Sequence, residues 1–222
     1  MTALLRYQAA LLLRSHRWLP PLLLYGVFMA VGVRAGQPVL DSFGYAAAAL
    51  LPVTAWLVRI CVTNEPPSAR DCAAAAAGPW RVHLAALLTA LLASAALGTA
   101  ATAVVALISD PRSADRQIAV SLGPAALAGL VAAVTCALLG TAVGALCNRP
   151  LLRSTAWAVP CTALAALLVV FAAVSPAYAA VTGLVTGSLS GTVHVPLLPL
   201  AAAAACAGGA AAVACAVSTR RG

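Results

Sequence analysis

Long uncharged apolar runs alternate with short polar or arginine-bearing stretches along the whole chain. Six runs approach the roughly 20 residues an α-helix needs to cross a hydrocarbon core of about 30 Å. They cover 18–36, 43–62, 84–108, 124–146, 154–174 and 197–217. The pattern predicts an all-α, polytopic membrane bundle of about six transmembrane helices, forming one domain over 1–222. Only Arg34 and Arg59 fall inside the runs, each near an end from which a guanidinium can snorkel to the headgroups.

Before the first run, residues 1–17 form an arginine-bearing leader. Drawn as a helix, it puts Arg6, Arg14 and Arg17 on one arc and Leu4, Leu11 and Trp18 opposite, as suits a helix lying in the membrane interface. Gln8 and Ser15 spoil the apolar side, and Leu13 spoils the basic one. A secretory signal competes for this stretch, with small residues near Ala35, but the charged leader is long for one.

Arginine placement orients the spans. With the N-terminus inside, Arg6, Arg14, Arg17, Arg59, Arg70, Arg81, Arg149, Arg153, Arg220 and Arg221 lie on or near the cytoplasmic face, leaving Arg34, Arg112 and Arg116 outside. Anionic lipid and the membrane potential favour that arrangement, which predicts cytoplasmic N- and C-termini. Trp18, Trp80 and Trp157 each stand at the cytoplasmic start of a predicted span, where an amphipathic ring suits the headgroup zone.

Composition sharpens this picture. The 222 residues are 63% hydrophobic and 8% charged, with a mean hydropathy of +1.01. An ordinary soluble domain is about 25% charged, so lipid must cover most of this chain. All 13 basic residues are arginine, which together with the abundance of alanine suggests a GC-rich bacterial genome and a bacterial cell membrane. Without lysine the chain cannot itself be a P-loop ATPase. The seven cysteines, Cys61, Cys72, Cys136, Cys147, Cys161, Cys206 and Cys215, mostly lie in or at the ends of apolar runs and read as small hydrophobes. No C-x-x-C pair is present, and no metal is expected.

Of the polar connections, 64–80 is the most informative. Ser68 with Asp71 matches a capping box, five alanines follow, and Gly78-Pro79 is a helix stop, which together predict a short cytoplasmic helix about 15 Å long. It serves either as a docking element for another protein or as a well-capped connector. The connection 109–116 is a charged outer turn, and 147–153 a basic inner anchor. Segment 175–196 stays apolar and small, with breaks expected at Tyr178, Gly183, Gly187 and Gly191, and is either re-entrant or a shielded loop. Pro52, Pro160 and Pro199 lie inside spans as candidate kinks, and Gly140-Thr141-Ala142-Val143-Gly144 is a G-x-x-x-G packing element.

No catalytic centre emerges. His16, His83 and His194 are dispersed over a leader, a span end and the outer side, each as an interfacial or loop histidine. Gly187-Ser188-Leu189-Ser190-Gly191 has leucine where G-x-S-x-G requires the nucleophile, so a hydrolase built on Ser190 and His194 would need other geometry. Asp41, Asp110 and Asp115 belong to one side and Glu65 and Asp71 to the other, so no carboxylate sits at mid-membrane to carry a proton.

The whole layout resembles the six-span type-2 permease subunits of ATP-binding cassette (ABC) exporters: an elbow helix over 2–17, six spans, a coupling helix over 65–78 and an apolar outer segment before the last span. That resemblance implies a transport subunit without catalytic residues or a cofactor of its own, driven by separate cytoplasmic ATPase subunits that hold ATP and Mg2+. It implies docking of the ATPase by Glu65, Ser68, Arg70 and Asp71, and a candidate outer gate at Tyr178, Gly183 and Gly187. It also implies pairing with a second permease copy or a homologous permease in membrane lipid, with no nucleic-acid partner. The chain departs from larger members in having little extramembrane structure. A non-transporting membrane scaffold, and behind it an intramembrane enzyme, are the alternatives.

Overall fold

Proline and glycine decide where the apolar runs begin and end as helices. The computed structural model describes residues 1–115, 117–149, 151 and 154–221, so the orienting roles expected of Arg116 and Arg153 lie outside the described residues. Its elements are α1 (Thr2–Arg14), α2 (Leu19–Gly32), α3 (Val39–Thr63), α4 (Pro67–Ala77), α5 (Pro79–Ile108), α6 (Leu122–Leu146), α7 (Thr155–Phe171), α8 (Pro176–Ser190) and α9 (Leu197–Arg221). Two isolated bridges, Pro38 with Asp110 and Arg112 with Ala119, are the only extended pairings among the described residues. The chain is all-α, as the apolar pattern predicts.

Four helices, α3, α5, α6 and α9, are each long and apolar enough to cross a membrane. A fifth crossing is available if α7 and α8, which meet at a 44° bend, count as one. Length and composition thus show four or five of the six expected crossings. The run at 18–36 is helical only over Leu19–Gly32, about 21 Å at 1.5 Å per residue, short of a hydrocarbon core of about 30 Å. Pro20 and Pro21 occupy its first turn, and Val33 is already extended. Gly36 then takes a left-handed φ of 77°. The chain next pairs with the α5–α6 connection: Val39 N–H donates to the Asp110 carbonyl (3.0 Å) and Asp110 N–H to that of Gln37 (2.9 Å).

The segment at 175–196 also differs in detail. Ser175 caps α8, its hydroxyl accepting from the Ala177 N–H (3.1 Å), and Pro176 opens the helix. α8 then runs unbroken through Tyr178, Gly183 and Gly187 and ends at Gly191 with φ 68°. Gly187 allows the chain to fold back over the helix end: a Cβ there would stand 2.5 Å from the Thr192 carbonyl oxygen. Along α8, Leu184 lies at the level of Gly44 and Gly187 at that of Leu40, so the helix advances toward the N-terminal end of α3, away from α4.

The core is organised around α3, whose Leu50, Leu51, Val53, Ala55 and Val58 are fully buried. α3 and α6 form the most extensive helix pair, and glycine makes the approach close. A Cβ on Gly140 would meet the Leu51 carbonyl oxygen at 2.5 Å and Thr54 Cβ at 2.7 Å; one on Gly144 would meet Val58 Cβ at 2.6 Å. Lipid tails are as apolar as leucine, so helix association rests on such close packing and not on a hydrophobic drive. The hydroxyls of Thr54, Thr89, Ser94, Thr135, Thr141 and Thr162 each donate to the carbonyl one turn earlier in their own helix. That arrangement satisfies them where water is absent.

Replacing Gly140 or Gly144 by leucine should therefore destabilise the detergent-solubilised protein by at least the ~1–3 kcal/mol typical of overpacking. Gly209, where an added Cβ has nothing within 4 Å, should tolerate alanine or gain up to about 1 kcal/mol. Thermal unfolding of the three variants checks this, and an equal loss in all of them would remove the special role of the α3–α6 contact.

Candidate functional site

The polar residues concentrate where α3, α4 and α5 meet. α4 starts at Pro67, with Pro66 as its extended N-cap (φ −58°, ψ 145°), and no side chain caps it. The predicted capping box of Ser68 and Asp71 does not form, because a proline fits the first helical position without losing a hydrogen bond and draws the start ahead of Ser68. The predicted stop does form. Gly78 takes φ 90°, its N–H reaches the Ala74 carbonyl at 2.8 Å, and Pro79 opens α5.

Of the four expected docking residues, two turn inward and two outward. Glu65 is buried at 8% exposure; its carboxylate accepts from Tyr7 Oη (3.0 Å) and Gln8 Nε2 (3.2 Å), both on α1. Next to it Asn64 Nδ2 donates to the Leu11 carbonyl (3.1 Å). Burial, reinforced by the Glu65 carboxylate, raises the Tyr7 pKa above its ordinary 10, which keeps the phenol a donor. Arg70 is half-buried; Nη1 donates to the Val62 carbonyl (3.0 Å) and Nη2 faces His83 Nδ1 (3.4 Å). Its pKa is lowered, chiefly by burial, with Glu65 opposing and Arg149 adding to the shift; a guanidinium remains cationic throughout. Ser68 and Asp71 are exposed, as is Cys72 beside them.

His83 is not the interfacial residue its position predicts: it is wholly buried. A guanidinium can only donate, so Nδ1 is the bare ring nitrogen and Nε2 carries the proton. Nε2 has no partner among the described residues. Arg59 does not simply snorkel either. Its Nη1 donates to Asn148 Oδ1 (2.9 Å), and the buried Asn148 donates through Nδ2 to the Gly144 carbonyl (2.9 Å) and, more weakly, to Thr162 Oγ1 (3.5 Å). These bonds tie α3, α6 and α7 together beside the α4 corner. On α5, the Arg81 guanidinium lies 5.2 Å from the Trp80 ring centroid.

At the opposite end the candidate gate residues do not converge. Tyr178 is exposed, whereas Gly187 is buried near Leu40, and nine residues at 100° each put them on opposite faces of α8. Gly183 has open space where a Cβ would be. Ser190 Oγ bonds to the Thr186 carbonyl (3.1 Å) and Thr192 Oγ1 (2.7 Å); His194 is exposed and forms no hydrogen bond with it among the described residues. Among the described residues no three His, Cys, Asp or Glu groups gather as metal ligands. The α4 corner is thus a mechanical joint: fixed on its inner side by Glu65 and Arg70, open on its outer side at Ser68 and Asp71.

Tyr7, Gln8, Asn64, Arg59 and Asn148 escape prediction as site residues. One signal was present, because Gln8 is the polar residue on the apolar side of α1, and a buried carboxylate is what it meets. Replacing Glu65 by alanine leaves the Tyr7 and Gln8 donors without their acceptor, a loss of about 1–3 kcal/mol. Hydrogen exchange of the α1 amides should then accelerate by roughly ten-fold, the equivalent of about 1.4 kcal/mol. Asp71→Ala should leave α1 unchanged, and comparable loosening by both variants would contradict the assignment. No protein-family model, curated protein or solved structure matches this chain.

Proposed function

We propose that the chain is the membrane-spanning permease subunit of an ABC exporter. Separate ATPase subunits, which hold ATP and Mg2+, drive it, and it works as a dimer with a second copy or a homologous permease. It moves an apolar or amphiphilic compound, lipid or peptide outward across a bacterial cell membrane. The observation that carries this reading is α4: a two-ended short helix between two long apolar helices, wired to α1, α3 and α5 by Glu65 and Arg70 while Ser68 and Asp71 face away. A partner pressing on Ser68 and Asp71 moves those helices together, because Glu65 and Arg70 already bond the corner behind them to α1, α3 and α5. Within this reading Ser68 and Asp71 touch the ATPase, and Glu65 and Arg70 position the helix.

Orientation follows from charge. Arg59, Arg70, Arg81, Arg149 and Arg220 lie at or near the α4 end of the bundle, and α1 brings Arg6 and Arg14 to it. Arg34 and Arg112 stand at the opposite end. The arginine-rich end is therefore cytoplasmic in this reading, with both termini there. α7 and α8 together then supply a fifth crossing bent at residues 172–175, and α2 a short sixth element anchored by the elbow at His16, whose φ is 54°.

A non-transporting scaffold is favoured by one feature: the hydroxyls of Thr54, Thr89, Ser94, Thr135, Thr141 and Thr162 are spent on carbonyls of their own helices, so none of these lines a polar pathway within one copy. The permease reading accommodates the same feature if the pathway runs between two copies.

Sidedness is testable through Cys72, exposed on α4. A membrane-impermeant maleimide should label it in inverted vesicles and not in intact cells, with Cys72→Ser as the control; labelling from outside would end the ATPase-docking model. Function is testable by affinity purification from the native membrane followed by reconstitution. ATP hydrolysis should copurify with the chain and fall at least several-fold when Ser68→Trp and Asp71→Arg are combined, while insertion stays normal. Absence of any copurifying hydrolysis would favour the scaffold.

A further inference from the structure

α1 and α5 do not close completely against each other. Between them runs an open groove of about 420 Å³, within the roughly 300–1,000 Å³ typical of small-molecule sites. Leu5 and Ala9 wall it from α1, Thr89, Leu92 and Ala93 from α5, and Arg6 stands at its rim. The lone hydroxyl in the lining is already spent, because Thr89 Oγ1 donates to the Ala85 carbonyl at 2.8 Å. The groove therefore offers hydrocarbon contacts with a single cationic group at its edge.

Its depth can be read from α5. That helix has 30 residues, about 45 Å, and so exceeds a hydrocarbon core of about 30 Å by roughly ten residues. The apolar run stops at Ile108, before Ser109 and Asp110, which sets that end at one boundary. The other boundary then falls near residue 88, beside Thr89 and one turn from Leu92. The groove thus lies where acyl chains meet headgroups, on the arginine-rich side of the bundle. Its α1 wall is held in place by the Tyr7 and Gln8 bonds to Glu65.

We propose that this groove seats one anionic phospholipid of that leaflet, an acyl chain lying along Ala9, Leu92 and Ala93 and the phosphate on the Arg6 guanidinium. Charge complementarity selects the headgroup. Arg6 is exposed, and the one ion pair among the described residues joins Arg112 to Asp110 at the other end. An anionic lipid supplies the missing counter-charge and fills the apolar space behind it; a zwitterionic lipid fills the space but brings its own cation. The seat does not depend on the exporter reading, since it requires only that the bundle lies in a bilayer.

The full-length protein in vesicles of mixed phosphatidylcholine and phosphatidylglycerol, extracted in mild detergent, provides the test. Copurifying phosphatidylglycerol should be enriched about five-fold over phosphatidylcholine relative to the bilayer. Arg6→Gln should abolish the enrichment, Arg17→Gln should preserve it, and Ala93→Trp, which fills the groove, should expel the lipid whatever its headgroup. Enrichment that survives Arg6→Gln, or that falls equally in Arg17→Gln, would overturn the seat in favour of diffuse attraction. Displacement of the lipid by an equal concentration of glycerol phosphate would overturn it in favour of a headgroup-only site. Should the tryptophan variant fail to fold, the two arginine variants, both on exposed side chains, decide alone.

Discussion

Close backbone approach between α3 and α6 is the constraint on which the rest of the structure depends. In hydrocarbon, apolar side chains gain nothing by leaving lipid for one another, so helices stay together only where their shapes interlock. Gly140 and Gly144 provide that fit against Leu51, Thr54 and Val58. Phe43 extends it toward the other end, where Gly129 leaves room for its ring, and Gly98 on α5 does the same for Leu50. With α6 held so near, α3 becomes the axis against which α2, α5, α7 and α8 all pack.

The α4 corner inherits its geometry from that axis. Val58 packs on Gly144, the adjacent Arg59 bonds Asn148, and Asn148 returns a hydrogen bond to the Gly144 carbonyl. One turn further, Val62 offers its carbonyl to Arg70, and Asn64 and Glu65 take hold of α1. Each bond satisfies a group that desolvation would otherwise penalise by a few kcal/mol. Burial of Glu65 therefore follows from having an elbow helix above it. Of the three charged heads that the resemblance assigned to a partner, Glu65 and Arg70 are occupied within the chain.

Hydropathy and proline were enough to read the long helices, the all-α class and the short helix between two of them, because runs of uncharged residues and a glycine stop speak locally. What could not be read is whatever depends on a neighbour. Residues 18–33 are apolar, yet the helix ends at Gly32 because Gln37 and Val39 pair with Asp110, far away in sequence. Gly183 and Gly187 look like helix breakers but sit inside a helix; at Gly187 the returning chain needs a small residue, whereas Gly183 faces open space. Ser68 and Asp71 match a capping box, but Pro67 begins the helix ahead of them. Gln8 looked like a flaw in an amphipathic arc until Glu65 supplied its partner. The G-x-x-x-G run names its own glycines, but only the structure shows that Leu51 and Val58 stand opposite them.

The uneven distribution of these contacts bears on what the bundle could do as a machine. α1, α3, α4, α5 and α6 are linked by hydrogen bonds and glycine-mediated contact, so a displacement of α4 has no soft element in which to dissipate before reaching α6. α7 is different: Ala158, Thr162 and Ala166 are buried, while Trp157, Leu164, Leu167 and Phe171 are exposed. It carries Pro160 and meets α8 at a bend. α9 shows the bundle a stripe of Ala203, Ala207, Ala210 and Ala214 and leaves its remaining faces open. α9 packs on α6 more extensively than any helix but α3, and Asn148 ties α7 to the same helix through Thr162, so α6 is where a push from the α4 corner reaches both.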